Sequence, residues 1–571
     1  MNFINRLKIY VVSIVIFMQT ACSGFLEKEP YDLVPEGYFN TQEELESFLT
    51  GTYSLIMQTQ FYGNYYILYN AGGDDLGFFQ RSNAVTSIIC ANTSSSDMYI
   101  TSYWRILYEG VNRANVLIEN VNKNVEIKAD IRKRVLAEAL FLRSFFYFNL
   151  VQGWGDVPLR LSSTQTVTGL DIARTDREII YERIITDIVN AIPDLKRSDE
   201  LTHTGMITQS GAKGMLARIY LFRAGEHYRQ KLPAPETKQI YFEEAKRWAL
   251  QVRESNMHGL VTPYSQVFID LSKDKYNSTG IRESIWEAEI AGNNSIVMAA
   301  GRVGNIVGFG SAKDFSSIAE LKNLNGMANP GYSYRFIFAT LKLYDMYEAE
   351  MDTARGNWNI APFEYEHDPL APNPVIGRKY YSDKRPDGLN QVDGLPCTDE
   401  TRAYINNRHT RSAAKFRREY EVVTPKDKNF TPINFPILRY SDVLLMIAEA
   451  DNELSASPSD LAYACIDEVR SRAGISPLTG SGLSKEDFRE AIKRERAMEL
   501  CFETTRRWDL IRWGEFITNM SNTLTDIDKS EWSVDHKYAS NYFKITDTYE
   551  YYPIPIMELS VNKSITQTPG W

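Results

Sequence analysis

The chain has 571 residues, of which 43% are hydrophobic, 24% charged and 12% aromatic, with a formal net charge of −10. That balance belongs to a folded globular body and excludes a disordered or low-complexity chain. An acidic chain without a basic stripe also excludes nucleic acid or anionic lipid head groups as its main partner.

Residues 1–21, MNFINRLKIYVVSIVIFMQTA, place Arg6 and Lys8 before an apolar run from Ile9 to Met18. This is the pattern of a secretory signal, too short to span a bilayer. Cys22 follows Ala21 directly, which resembles a lipobox, although Gln19 stands where leucine is usual. The resemblance implies cleavage before Cys22 and acylation of the new N-terminus. Losing Arg6 and Lys8 takes the formal charge to −12. No other segment approaches about 18 uninterrupted apolar residues, so the expected product is a soluble body anchored to a membrane by acyl chains, not spanning it. Glu27 and Glu29, soon after Cys22, are compatible with export to the cell surface.

TQEELESFLTGTYSLIMQTQ, about residues 40–60, has helical periodicity, with Thr41 as N-cap and Glu44 three residues on. The stretch from Phe61 to Met98 is rich in Gly, Asn, Ser and aromatics, lacks any period and reads as a loop. YITSYWRILYEGVNRANVLIENV then restores apolar positions at i, i+3, i+4 and i+7 and predicts a long amphipathic helix. Paired helical segments follow: IRKRVLAEALFLRSFFYFNLVQGWGDVPL with TDREIIYERIITDIVNAIPDL, SGAKGMLARIYLFRAG with YFEEAKRWALQVRES, and SDVLLMIAEADNEL with SDLAYACIDEVRSRAG. Ala139, Ala217, Ala245, Ala448 and Ala464 sit among large neighbours, so backbones approach closely while the large side chains fill the grooves. The pairs resemble tetratricopeptide repeats without a constant period near 34 residues. A mostly α fold is expected, a curved scaffold of helix pairs with long irregular loop excursions. Residues 22–571 read as one body, with a helical part at 22–255, loop-rich excursions at 256–435, and C-terminal helices and tail at 436–571. Loops of that length on a regular scaffold usually carry function.

Few residues suggest catalysis. Glu495, Glu499 and Glu503 recur every four residues beside Arg496, Arg506 and Arg507, which predicts ion pairs with lowered carboxyl pKa values and not a glycosidase acid pair. The six histidines stand singly, and GxSxG, HExxH, P-loop and GxGxxG motifs are absent. No cofactor is expected beyond a possible structural calcium, for which Asp74 and Asp75 in AGGDDLG are candidates against a competing role in capping or turn stabilisation. Cys465 and Cys501 lie on apolar helix faces and read as small buried hydrophobes. RRWDLIRWGEF, from Arg506 to Phe516, resembles an active site in composition. Its spacing instead predicts a short helix ended by Gly514, with Trp508 packed inside and with Arg507 and Asp509 paired to neighbouring charges.

Four C-terminal blocks, LRYSDVLLMIAEADNEL, IDEVRSRAGISPL, LSKEDFREAIKRERAMELCFETTRRWDLIRWG and YYPIPIMELSVNKSITQTPGW, are similar in order and spacing to the SusD/RagB family of nutrient-binding outer-membrane lipoproteins. FLEKEP, YWRILYEGVNRAN and AEALFLRSFFYFNLVQGWGDVPL extend the resemblance to the N-terminal half. It implies a SusD-like fold with tetratricopeptide-like helix pairs, an outer-membrane location facing the cell exterior, and a SusC-like TonB-dependent transporter as partner. It also implies a binding protein and not an enzyme, with an oligosaccharide as ligand and a peptide or another nutrient as the alternative; a glycoside hydrolase with a helical fold is the rival outside the resemblance.

A sugar site needs an aromatic platform and planar polar groups that take hydroxyls. Phe78, Phe79, Arg81 and Asn83 offer this mixture, with Tyr99 close by. Tyr332, Tyr334 and Trp358 are the candidates from the later excursions, and for each ring a packing role is the alternative.

Overall fold

The computed structural model describes residues 38–81, 87–164, 171–225, 234–275, 280–291, 301–311, 329–368, 375–381, 391–392, 395–396, 411–528 and 534–571. The signal segment, Cys22, Asn83 and Cys397 lie outside them.

Helix α1 (Gln42–Tyr53) opens with the predicted capping box. Glu44 N donates to Thr41 Oγ1 at 3.2 Å, and Thr41 N donates to Glu44 Oε2 at 3.1 Å, so two backbone donors that lack helical partners are satisfied. The segment read as a loop after it contains α2 (Tyr65–Ala71) and a short strand, β1 (Gly77–Phe79). Six of the seven α2 residues are buried, so the helix shows no polar face and therefore no sequence period.

Helices α3 (Met98–Asn120) and α4 (Ala129–Trp154) pack side by side, and α4 packs in turn on α5 (Arg177–Ala191). From Phe141 to Trp154 every residue of α4 is buried, and polar ones among them have partners: Arg143 pairs with Asp187 at 2.6 Å and Asn149 Oδ1 accepts from Tyr103 Oη at 2.9 Å. The α3–α4 approach depends on Gly110, because a Cβ there would lie 2.4 Å from the Phe146 ring. Gly110→Leu is therefore expected to lower stability by about 1–3 kcal/mol through overpacking. Thermal melting checks this, and an unchanged midpoint would mean that the two helices part easily.

Helix α6 (Gln209–Arg223) pairs with α7 (Pro235–Glu254), which packs on α8 (Tyr440–Leu454), and α8 pairs with α9 (Asp460–Ala473). The three predicted helix pairs are thus present, joined by a contact across the chain between α7 and α8. Helices α10 (Lys485–Leu500), α11 (Arg506–Arg512), α12 (Phe516–Asp528) and α13 (Ile556–Val561) complete the C-terminal part. The fold is mostly helical, as expected. One continuous apolar core runs from Phe39 to Ile565 through both halves of the chain. Cys465 and Cys501 are buried free thiols within it.

Strands are few and short. β1 pairs antiparallel with β3 (Ile337–Ala339), setting Phe79 opposite Ile337, and β2 (Ser284–Ala288) pairs with β4 (Phe435–Arg439). An antiparallel hairpin of Phe363–Asp368 and Val375–Tyr380 covers a small second cluster of Phe309, Phe363, Tyr365 and Tyr380. Among the described residues no helix is long and apolar enough to cross a membrane.

Candidate functional site

Pairing of β1 with β3 brings two distant loops into register, and the backbone just beyond it carries a half-buried aromatic surface. Gln80 N donates to Phe336 O at 2.9 Å, and Gln80 Nε2 donates to Tyr334 O at 3.0 Å. Asn305, fully buried, holds the same segment from the other side: its carbonyl accepts from Phe336 N at 3.1 Å and its Oδ1 from Tyr334 N at 3.2 Å. YSYRF leads into β3 with Arg335 at φ 49°. Ser333 faces inward and donates to Gly304 O at 2.9 Å, while Tyr332, Tyr334 and Phe336 stay half-exposed.

These rings form a ladder. Tyr334 and Phe336 are nearly parallel, 3° between planes, with centroids 5.2 Å apart. Phe336 stacks on Phe79 at 5.6 Å and 27°, and Tyr332 meets Tyr334 edge-on at 4.8 Å. Parallel rings in contact lie about 3.5–4.0 Å apart, so a centroid distance of 5.2 Å means an offset stack that leaves a strip of each face open. The result is an aromatic staircase.

Two guanidinium groups flank it. Arg302 lies 5.4 Å from the Tyr334 centroid and 5.5 Å from that of Phe336, and Arg81 lies 5.4 Å from that of Phe336. Among the described residues Arg302 has no carboxylate partner, and its Nε is buried without a hydrogen bond. Burial draws its pKa below the usual guanidinium value, against the opposing influence of Tyr334 and Tyr65. Arg302 N donates to Gly63 O at 2.8 Å, which ties it to the edge of α2. There Tyr65 and Tyr99 meet at 4.7 Å as a second half-exposed aromatic pair. The surface therefore combines ring faces, phenol hydroxyls and an uncommitted planar donor.

Of the sequence candidates, Phe79, Arg81, Tyr99, Tyr332 and Tyr334 are brought together here. Phe78 is not: it is fully buried and packs against Phe338, Tyr538 and Tyr542, because adjacent strand residues point to opposite faces. Trp358 is also corrected to a packing role. It is 8% exposed, its Nε1 donates to Lys415 O at 2.9 Å, and Arg417 covers its ring at 4.1 Å. Sequence reasoning missed Phe336, Tyr65 and Arg302. The spacing of aromatics at every second position in YSYRF was the available signal for Phe336; nothing local distinguishes Arg302.

Asp74 and Asp75 are buried and do not form a calcium site. Asp75 accepts from Arg506 Nε and Nη2 at 2.8 Å each and from Lys342 Nζ at 2.6 Å, so a dication would meet two cations. These partners overcome burial and hold the Asp75 carboxyl well below the usual range. Burial and the charge of Asp75 push Asp74 up to about 8. A carboxyl whose folded pKa exceeds its unfolded value favours the fold at low pH and loses that contribution as pH rises toward 8. Asp74→Asn is accordingly expected to flatten the decline of stability between about pH 4 and 8, as read from denaturation midpoints. An unaltered slope would refute this.

The Glu495, Glu499 and Glu503 face is an ion-pair network. Glu495 meets Arg355 and Arg470, Glu499 meets Arg355, Arg439 and Arg472, and Glu503 meets Arg439 and Lys415. Glu499 has the lowered pKa expected of such pairing, whereas burial outweighs the arginines at Glu495 and raises it. In RRWDLIRWGEF, Asp509 pairs with Arg496 and Arg512 as expected. Gly514, at φ 69°, ends the helix, with Glu515 N bonded to Leu510 O at 2.8 Å. Arg507 differs from its expected ion pair: it donates to the carbonyls of Gly73 and Tyr549 and lies 4.5 Å from the Phe516 centroid.

Comparison with known proteins bears on this geometry. A family described as the SusD family matches residues 282–571, and one described as "Starch-binding associating with outer membrane" matches residues 24–221. A SusD-like protein P25 of Formosa agariphila is 24% identical over 99% of this chain and 98% of its own length. A SusD homolog from Bacteroides thetaiotaomicron superposes with a TM-score of 0.77 at 24% identity, covering 94% of this chain and 98% of its own. A laminarin-binding SusD-like protein superposes with a TM-score of 0.65 at 21% identity, covering 94% and 100%.

Proposed function

Since the chain belongs to the SusD family, we propose that it is a glycan-binding lipoprotein of the outer membrane, facing the cell exterior, which captures oligosaccharides and delivers them to a SusC-like TonB-dependent transporter. The observation that carries the reading is the offset ladder of Phe79, Phe336 and Tyr334 with Arg302, which has no carboxylate partner among the described residues, against it. Pyranose rings carry apolar C–H faces and a rim of hydroxyls. The open strips of the rings take the former, and Arg302, Gln80 and the phenols take the latter. No bond is made or broken in this role. The family descriptions and the laminarin-binding neighbour support a saccharide as ligand. The signal segment and Cys22 support the anchor.

In calorimetric titration against laminarin oligosaccharides and a panel of other plant and algal oligosaccharides, the bound member is expected to lose affinity by about tenfold or more in Tyr334→Ala/Arg302→Ala, the equivalent of roughly 1.4 kcal/mol. The melting temperature should hold, because both side chains are half-exposed. Undiminished affinity would remove the ladder from the site. Co-purification of an outer-membrane barrel with the acylated protein, lost in Cys22→Ala cells, tests the delivery arm.

A further inference from the structure

The two arginines at the aromatic ladder differ from the buried arginines elsewhere in the fold. Arg143 meets Asp187, Arg496 meets Asp442 and Asp509, and Arg512 meets Glu449 and Asp509, while Arg507 uses backbone carbonyls. Arg302 and Arg81 do neither. Both are half-buried, and among the described residues neither guanidinium donates a hydrogen bond or meets a carboxylate. The groups that act on the Arg302 charge through space are two phenols, Tyr334 and Tyr65.

Their positions are set by the backbone around them. Arg302 N is tied to Gly63 O at 2.8 Å, which places the side chain at the step between Tyr334 and Phe336, 5.4 Å and 5.5 Å from the two centroids. Arg81 N donates to Phe79 O at 3.0 Å and Arg81 O accepts from Tyr542 Oη at 2.5 Å, leaving the guanidinium 5.4 Å from the Phe336 centroid. Both charges thus border one ring of the ladder and lie within reach of a single sugar unit resting on it.

The carboxylates on the segments that carry or touch these rings are committed elsewhere. Asp97 Oδ1 accepts from the N–H groups of Tyr99 and Ile100 at 2.8 Å and 3.2 Å, and its Oδ2 accepts from Ile88 N and Thr93 Oγ1 at 2.8 Å each. Glu364 Oε1 accepts from Arg335 Nη1 at 2.9 Å, and Asp427 Oδ1 accepts from Asn429 N at 2.7 Å and Phe430 N at 2.9 Å. A neutral sugar laid over a half-buried cation removes its water and returns only hydroxyl contacts. An anionic oxygen returns opposite charge as well, in the planar geometry that a guanidinium favours.

We propose that the ladder selects acidic glycans, a carboxylate or sulfate of the sugar unit on Phe336 being bound by Arg302 and Arg81 while the C–H face of that unit rests on the ring. The proposal rests on the glycan-binding reading of the chain and names the substrate class of that same site.

The test titrates the purified protein with probes matched in all but charge. Tetragalacturonate is compared with its methyl ester, and sulfated laminaritetraose with laminaritetraose, so that the first pair reports carboxylate and the second sulfate. At low salt the acidic member of at least one pair is expected to bind tenfold or more tightly than its neutral partner, a preference that shrinks as salt screens the charges. Arg302→Gln/Arg81→Gln, checked by its melting temperature, is expected to bring the two members to within about threefold of each other, whereas Arg81→Lys, which keeps the charge, retains a preference. A merely structural role for the arginines would lower both affinities and leave their ratio in place. Acidic members that bind no more tightly than their neutral partners in both pairs, or a preference that survives in Arg302→Gln/Arg81→Gln, would overturn the acidic class. Neutral-glycan binding that is lost in Tyr334→Ala would then leave the proposed function standing without it. Absence of any saccharide binding, neutral or acidic, would instead strike the function itself.

Discussion

Replacing Glu499 by alanine is expected to destabilise the folded chain by roughly 3–5 kcal/mol, the cost of leaving buried charges without their partner. Glu499 is fully buried on α10. Its Oε1 accepts from Arg439 Nη1 at 3.1 Å and from Arg472 Nη2, and its Oε2 accepts from Arg355 Nη1 at 3.1 Å. Burial alone would raise its pKa; Arg472, Arg439, Arg355 and Lys415 together hold it well below the usual range. Removing the carboxylate leaves guanidinium groups from three separate parts of the fold facing one another in a dry interior. Arg439 ends β4, Arg472 belongs to α9 and Arg355 lies in the helical segment Thr353–Asn359, so one side chain ties these elements to α10. A carboxyl with a depressed pKa contributes stability above its unfolded value, about 4.3, and loses it as pH falls. The wild-type denaturation midpoint should therefore drop on acidification more steeply than that of Glu499→Ala. Equal midpoints for the two proteins at neutral pH would show that the network is energetically slack. The same geometry explains why three carboxylates in one helical row are not catalytic machinery: each is already engaged by arginine or lysine.

Trp508→Ala is expected to cost about 3–5 kcal/mol and to leave ligand affinity unchanged in the folded protein. Trp508 is 5% exposed, and its Nε1 donates to Tyr66 Oη at 3.1 Å. Phe222 and Tyr552 meet its ring edge-on at 6.4 Å and 6.1 Å. Truncation would open a large cavity between α11, α2 and α6, elements whose own side chains are held in place by neighbours and cannot collapse into it. Chemical denaturation measures the loss, and titration of the variant below its melting temperature measures the affinity. A fall in affinity with an unchanged midpoint would reverse the assignment and make this segment part of a binding site. The composition of RRWDLIRWGEF suggests chemistry, yet its tryptophans and charges close the seam between the N-terminal helices and the C-terminal ones.

Much of the scaffold was legible because helical order is local. The Thr41 and Glu44 capping box, the amphipathic period of α3 and the three helix pairs are written in residues three or four apart, and four well-spaced blocks carry the family likeness. Helix α2 escaped, since a helix buried on nearly all sides has no polar face to betray its period.

The candidate site follows a different logic. Which of Phe78 and Phe79 reaches the surface depends on the strand opposite, some 260 residues later in the chain, and its pairing turns Phe78 into the core and Phe79 onto the ladder. Trp358 reads as an exposed loop residue among Asn and Gly, but the Lys415 carbonyl and Arg417 enclose it. Arg302 gains its meaning only from the rings of Tyr334 and Phe336 beside it. The sequence by itself determined the helical scaffold and the family, since both rest on contacts or blocks contiguous along the chain. The tertiary structure alone decided which aromatic side chains face solvent and which donors remain uncommitted, because exposure and partnership are set by residues hundreds of positions away.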